Sequence, residues 1–493
     1  IASRSRTAPP AAASGAAADS AASGASALPR TRPAPDSERY RLETYLDHRK
    51  LFENNHAEVY KEQFRRIERV VGNFDRVVSY GTVFNYQRLL SVKTADLVFG
   101  EPPKVTVADD NKQKVIDKIL LDTDLFGCAY ISCIDVSRYG DAIMLLSCND
   151  KGLPSIDVIS PAMWFPVVNQ DNIRKFEYHV FAWVYLIDTA KKQYGLKVQI
   201  HKPDEPEQCE AHNYELNGKP GSFKIGREIT QKQELSLETS MHTCPVYRIS
   251  NLLTSDNIYG HDDYEPIDSI VAEIIVRVSQ ISKVLDKFAS PSMTGPQSAL
   301  EMDEVTGNWR LKVGDYFPCD SDTVKPEYLV WDASMDANFK QIELLTNQLY
   351  TISEMGSAVF GDLTNKAGDV PSGSALRRLM MSPLAKARRI ANRFDPILKK
   401  LISASAGILG VEIVPEEITI TWHDGLPADP AEDAEIMSVR TGGKATLSQY
   451  TAIQRLDDMS AADTDAELAM IRSDDIDSSV GLEETALEPI EGI

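Results

Sequence analysis

The chain has no run of eighteen apolar residues among its 493, so no transmembrane span is expected and a soluble protein is. Its six cysteines, Cys128, Cys133, Cys148, Cys209, Cys244 and Cys319, form no C-x-x-C pair, and most lie in apolar, strand-like surroundings. That pattern predicts buried free thiols in a reducing cytoplasm rather than a disulfide frame. Catalytic signatures are missing too: there is no G-x-S-x-G elbow and no H-E-x-x-H helix. Gly442-Gly443-Lys444 with Thr446 falls short of a phosphate loop, because Ala445 stands where a hydroxyl must follow the lysine and the four residues between the glycines are absent. His201, Cys209 and His212 include a conceivable metal pair, but their Pro/Glu-rich loop offers no convincing fourth ligand. Gly373-Ser374 has no His/Asp pair at an arguable spacing. The chain is therefore read as binding no metal or cofactor and as catalysing nothing.

Aromatic residues are absent from residues 1–37, an Ala/Ser/Gly/Pro stretch with four Arg and two Asp. Such a segment cannot bury enough apolar area to order itself, and it lacks the amphipathic stripe of a transit peptide. Basic charge is scarce overall, with a net charge of −21. Residues 457–493 hold twelve Asp/Glu against Arg472 alone and so account for −11 of it. The remaining body is only mildly acidic. A surface of this kind suits either simple solubility or a protein that surrounds DNA without gripping it, because each Lys or Arg that neutralises a phosphate strengthens the hold.

Hydrophobic periodicity supplies the positive evidence. After Gly260-His261-Asp262-Asp263-Tyr264-Glu265-Pro266, apolar residues fall at Ile267, Ile270, Val271, Ile274, Val278, Ile281, Leu285 and Phe288, one stripe on one helical face. Asp262 or Asp263 can cap this helix, and Pro266 in the first turn loses no hydrogen bond. A second helix places Phe339, Ile342, Leu345, Leu349, Ile352 and Met355 in the same way. From Glu38 to Leu97 the pattern is helical. Residues 104–250 predict a mixed α+β region, with strands at Ala129–Val136, Ala142–Ser147, Ile156–Ile159, Tyr178–Ile187, Leu196–His201 and Cys244–Ile249. A long helix from Ser372 to Gly407 contains Pro383 and Pro396, which predicts a kink. It carries eight basic residues and one acid, Asp395, between Arg377 and Lys400. Arg378, Lys386, Arg389, Arg393 and Lys400 gather on one flank, either against a neighbouring subunit or near DNA.

Three local motifs, in order and spacing, resemble the portal proteins of tailed double-stranded DNA bacteriophages. They are Gly-x-Asp-Asp-Tyr-Glu with its helix to Asp286-Lys287-Phe288 and Pro291, then Pro371-Ser372-Gly373-Ser374-Ala375-Leu376, then Ile418-Thr419-Ile420-Thr421-Trp422-His423-Asp424-Gly425-Leu426-Pro427-Ala428-Asp429. Ala95 to Pro103, a helix ending in a Gly-x-Pro turn, is similar to that family as well.

The resemblance implies a mainly helical α+β portal fold, assembled as a ring that is typically dodecameric. By it, 1–37 is a disordered arm, 38–262 an α+β wing, 263–290 and 335–356 stem helices, and 291–334 a clip. Residues 357–371 become a tunnel loop, 372–410 a long kinked helix, 411–430 a wing strand and turn, 431–472 a helical crown and 473–493 an acidic tail. Stem packing falls to Ile274, Val278, Ile281, Leu345 and Leu349, and the channel contacts to Phe360 and Lys366. The implied function is a channel at the capsid vertex for DNA packaging and ejection, in the virion after assembly in host cytoplasm. Its partners are double-stranded DNA, terminase, major capsid or scaffolding protein and a head-tail connector. Competing readings are a capsid or tail adaptor, or a nucleic-acid-processing enzyme with an unrecognised site.

Overall fold

The computed structural model describes residues 35–71, 75–78, 82–149, 151–219, 222–229, 236–238, 243–289, 293–296, 301–302, 309–310, 316–319, 327–328, 336–361, 377–423, 430–442, 445–456, 459 and 463–473. Helix predominates and antiparallel sheet fills much of the first half. The arm at 1–34, the 371–376 and 424–429 motif segments, Lys366 and the end after 473 lie outside the described residues.

Helix α1 (Pro35–Phe52) is followed by the short α2 (His56–Val59) and α3 (Lys61–Arg65) and by a hairpin, β1 (Glu68–Val71) with β2 (Asp75–Val78). In α4 (Tyr86–Phe99), the Asn85 side chain accepts from the Arg88 amide at 2.9 Å, satisfying a backbone donor that the first turn leaves open. After β3 (Lys104–Thr106), Asp109 caps α5 (Asp110–Thr123) in the same way, through the amides of Asn111 and Lys112. Next comes α6 (Leu125–Tyr139), which stops at Gly140 with φ of +83°.

The α6 helix corrects the strand expected at Ala129–Val136. A short apolar run is ambiguous between strand and buried helix, and here Leu125, Ala129, Cys133 and Val136, all fully buried, recur at helical spacing. Strands β4 (Asp141–Cys148), β5 (Pro154–Ile159) and β12 (Val246–Ser250) make a three-stranded antiparallel sheet in the order β12-β4-β5. Between them, β6 (Trp164–Val168), β7 (Phe176–Asp188), β8 (Gln193–Lys202), β9 (Glu205–Asn217) and β10 (Lys224–Glu228) form an antiparallel meander, with β11 (Ser236–Glu238) on β9. The expected Pro/Glu-rich loop around Cys209 and His212 is thus the strand β9.

Helix α7 (Glu265–Ala289) and helix α8 (Asp336–Ile352) fall where the two stripes predicted them and pack on each other. Short strands lie between them: β13 (Met293–Pro296), β14 (Glu301–Met302), β15 (Trp309–Arg310), β16 (Tyr316–Cys319) and β17 (Glu327–Tyr328). β13 pairs with β16 in parallel and with β17 antiparallel. One turn of helix, α9 (Gly356–Val359), then leads toward α10 (Met381–Ile408). Pro383 is the third residue of α10, where its missing N–H would have had no intrahelical acceptor, so Pro396 alone is interior. Strand β18 (Thr419–Thr421) pairs with β3, and α11 (Pro430–Thr441) and α12 (Gln449–Leu456) follow.

Three cores result. The largest joins α4, α5, α6, the three-stranded sheet and the buried stripe of α10, with Phe394 set edge-on to Phe99 at 4.9 Å. The second holds the stem-like pair: Ile267, Val271, Ile274 and Ile275 of α7 meet Leu349 and draw in Leu51, Phe64 and Leu90 from the N-terminal helices. A third, around Trp164 and Phe181, seats the meander.

Candidate functional site

The Gly260–Glu265 segment is a buried junction. Asp262 caps α7, its carboxylate accepting from the amides of Tyr264 and Glu265 at 2.8 Å each. Asp263 turns the other way: it accepts from Ser137 Oγ at 2.8 Å and Asn251 Nδ2 at 2.9 Å, and lies 3.0 Å from Lys386 Nζ on α10. Tyr264 is fully buried, and its hydroxyl bonds Ser91 of α4 at 2.9 Å. His48 of α1 packs on the Tyr264 ring, donates from Nδ1 to the Arg138 carbonyl at 2.7 Å and stands 3.8 Å from Asp262. Burial pushes the Asp262 carboxyl up, with His48 opposing. One hexapeptide thereby fixes α1, α4, α6, α7 and α10 together.

Two further carboxylates extend the junction. Asp141, at the start of β4, is fully buried and accepts from Arg248 Nε at 2.9 Å, Ser250 Oγ at 2.6 Å and the Gly260 amide at 2.9 Å. Asp268 accepts from Tyr60 at 2.9 Å and Gln87 at 3.1 Å, and burial raises its pKa most. Gly140 and Gly260 touch backbone to backbone, so a Cβ on either would overlap the other's carbonyl oxygen. Each of these carboxylates already has donors from its own chain, which makes them joints between elements.

The basic helix divides by face, which corrects the expectation of one shared flank. Lys386 is 2% exposed and also donates to the Ser353 carbonyl at the end of α8, at 3.1 Å. Arg389 pairs with Glu354, a non-glycine residue held at φ of +61°, so both cations tie α10 to the exit of α8 within one chain. Arg378, Arg388, Arg393 and Lys400 are exposed and pair with no described residue. Phe360 is half-buried, stacked on Tyr350 at 5.1 Å and edge-on to Tyr86 at 6.1 Å. Its ring serves packing inside the chain, not a projecting loop tip.

Ile274, Ile281 and Leu349 are buried within the chain, and Val278 and Leu345 partly so. These five expected stem-packing residues thus have neighbours within the chain, and the inner part of the two stripes is filled without a second copy. What remains exposed is Leu285, Phe339, Leu344 and Ile352.

In the meander, His179 accepts a hydrogen bond from Trp164 Nε1 at 3.2 Å, and its cross-strand partner His201 lies 3.6 Å from Cys209 Sγ. Burial drives His179 down to about 3 and His201 down to about 4. His212 bonds Glu228 at 2.7 Å instead of joining them. Among the described residues, no group of three or more His, Cys, Asp or Glu is placed to hold a metal. Of the five cysteines whose side chains are described, Cys133 and Cys209 are buried, Cys128 and Cys244 partly so and Cys148 exposed, each a free thiol.

The histidine pair predicts a pH dependence. Both pKa values are lowered by folding, so between about pH 3 and about 6.5 the unfolded state binds more protons, and stability falls as pH falls through this window. Asp135, raised to about 6 by burial, acts in the opposite sense on α6. Amide exchange, corrected for intrinsic rates, should show the opening constant of β7–β9 rising at least about tenfold from about pH 7 to about 4.5. His179→Gln with His201→Gln should flatten that response; an unchanged slope would exclude the pair as its source.

The sequence family described as Phage portal protein, SPP1 Gp6-like, matches residues 37–478. No curated protein matches the chain. Among solved structures, the chain is similar to the neck of a native GTA particle computed with C12 symmetry, at 13% identity and a TM-score of 0.41, covering 75% of this chain and 88% of that one. It is also similar to the neck of an empty GTA particle computed with C6 symmetry, at 14% identity and a TM-score of 0.44, covering 76% and 90%. A third is the virion of a native gene transfer agent particle, at 13% identity and a TM-score of 0.39, covering 76% and 90%. The assignment rests on the family match, which spans most of the sequence and all three motifs: the chain belongs to the phage portal protein family.

Proposed function

We propose that this chain is the subunit of a closed ring at the capsid vertex, a channel through which double-stranded DNA enters during packaging and leaves at ejection. The observation that carries the reading is the family match over residues 37–478. The ring is twelvefold and sits in the virion at the head-tail junction after assembly in the host cytoplasm. Within the wing, stem, clip and crown scheme, α7 and α8 are the stem and the short strands between them the clip, where terminase docks first and a head-tail connector later. Capsid or scaffolding protein surrounds the ring. The chain itself performs no catalysis. Lys366 remains the proposed channel contact, while Arg378 and Lys400, at opposite ends of the basic region, face neighbouring subunits.

The stem assignment is testable because the packing separates two classes of apolar residue. Ile274→Asp and Ile281→Asp should unfold the chain, since both side chains are buried inside it. Phe339 and Leu344, 53% and 59% exposed on α8, are free to meet another copy. Phe339→Glu with Leu344→Glu should keep the circular dichroism spectrum and melting temperature of the parent and lose the ring in native mass spectrometry. Intact rings in that variant would remove these two positions of α8 from the subunit interface.

A further inference from the structure

A groove follows the outward face of α10, and no described side chain fills it. Its floor is apolar, with Leu97 of α4, Leu384 and Trp422; its rim carries Arg388, Asn392 and His423, around a cavity of about 240 Å³. A second depression of about 490 Å³ adjoins it between Arg388, Arg389, Asn392 and Arg393. Arg389 is committed to Glu354, and His423 has Glu101 at 3.8 Å. Arg388 and Arg393 are left without a described counter-charge. An apolar floor under a cationic rim asks for a partner that brings apolar and acidic groups together.

We propose that residues 474–493 of the same chain occupy this groove. They contain seven acids and no base, Asp474, Asp475, Asp477, Glu483, Glu484, Glu488 and Glu491, interleaved with Ile476, Val480, Leu482, Leu487 and Ile490. A phosphodiester backbone matches the arginines but has nothing apolar to set on Trp422 and Leu384, whereas this segment carries leucines beside its acids. Twenty extended residues reach up to roughly 66 Å at about 3.3 Å each, and the tether gives the segment an effective concentration near the millimolar range. Arg388 and Arg393 hold the carboxylates while Leu482 and Leu487 cover the floor. The proposal stands on one chain and does not need the ring.

Hydrogen exchange by mass spectrometry on the full chain tests it. Amides of 474–493 and of 385–393 should be protected in the wild type. Protection should drop at least about tenfold in Arg388→Glu with Arg393→Glu, and again when salt is raised to about 0.5 M. Glu483→Lys with Glu484→Lys should do the same; these changes leave the sequence of α10 untouched, so they read the contact even if the arginine variant misfolds. Equal exchange in wild type and both variants overturns the proposal. So does a short DNA duplex that binds the wild type, loses affinity in the arginine variant and leaves the tail unprotected, which would make this a nucleic-acid face. A mixture of the arginine variant with a chain ending at Ser473 decides between copies: tail protection regained there would mean the groove takes a neighbour's tail and would overturn the same-chain assignment.

Discussion

Gly260→Ala and Gly140→Ala are each expected to abolish the soluble, folded chain, whereas Gly407→Ala is expected to be tolerated. At the first two positions the added methyl meets backbone, the Gly140 carbonyl in one case and the Gly260 carbonyl in the other, and no rotamer can relieve the overlap. Gly140 carries the further burden of φ at +83°. Moving either strand of backbone would pull Asp141 from the Gly260 amide and Asp263 from Ser137, so one methyl disturbs the whole junction. The cost exceeds about 4 kcal/mol, a range reserved for steric conflict or broken buried networks. Gly407, on α10 with nothing within 4 Å of its Cβ position, should gain up to about 1 kcal/mol from the better helix former. Chemical denaturation of the three variants checks this. Normal stability in Gly260→Ala would mean that the two segments are not in contact.

Lys386→Met comes next in size. Its ammonium is the only described bond from α10 to Asp263, and it also satisfies the Ser353 carbonyl, all at 2% exposure. Removing one partner of a buried pair leaves the other charged and undersupplied with donors, at about 3–5 kcal/mol. Asp263 keeps Ser137 and Asn251, which places the loss toward the lower end. Asp263→Asn added to Lys386→Met should return more than about 1 kcal/mol of it, because the unpaired charge is gone. Strict additivity in that cycle would show that the two groups do not interact. The same geometry separates Arg389 from Arg393: reversing Arg389 breaks its clamp on Glu354, while reversing Arg393 breaks no bond to a described residue and leaves the α8–α10 tie intact.

Much of the architecture was legible because it is written in local rules. The stripes of α7 and α8 have helical spacing, and Asp262 is a cap placed where a cap belongs. Tertiary partners were not legible. Helical phase puts Lys386 only about 40° from Ile390, on the buried side, yet a lysine reads as outward until Asp263 is known to wait for it. The adjacent pair Asp262-Asp263 held a hint, since one acid suffices for a cap and the second needs another partner. The surroundings of Phe360 were hidden for a related reason: nothing local shows that Tyr350 and Tyr86 receive its ring. No sequence signal could bring Gly140 to Gly260, or Asp141 to Arg248, across more than a hundred residues.

The central claim, a ring-forming channel subunit, is tested most directly by imaging the purified chain in negative stain beside its native mass spectrum. Closed rings with a central opening, and a mass twelve times 54.6 kDa, are the predicted result. Monomers or small symmetric oligomers without a channel, from protein with an intact melting transition, would contradict it.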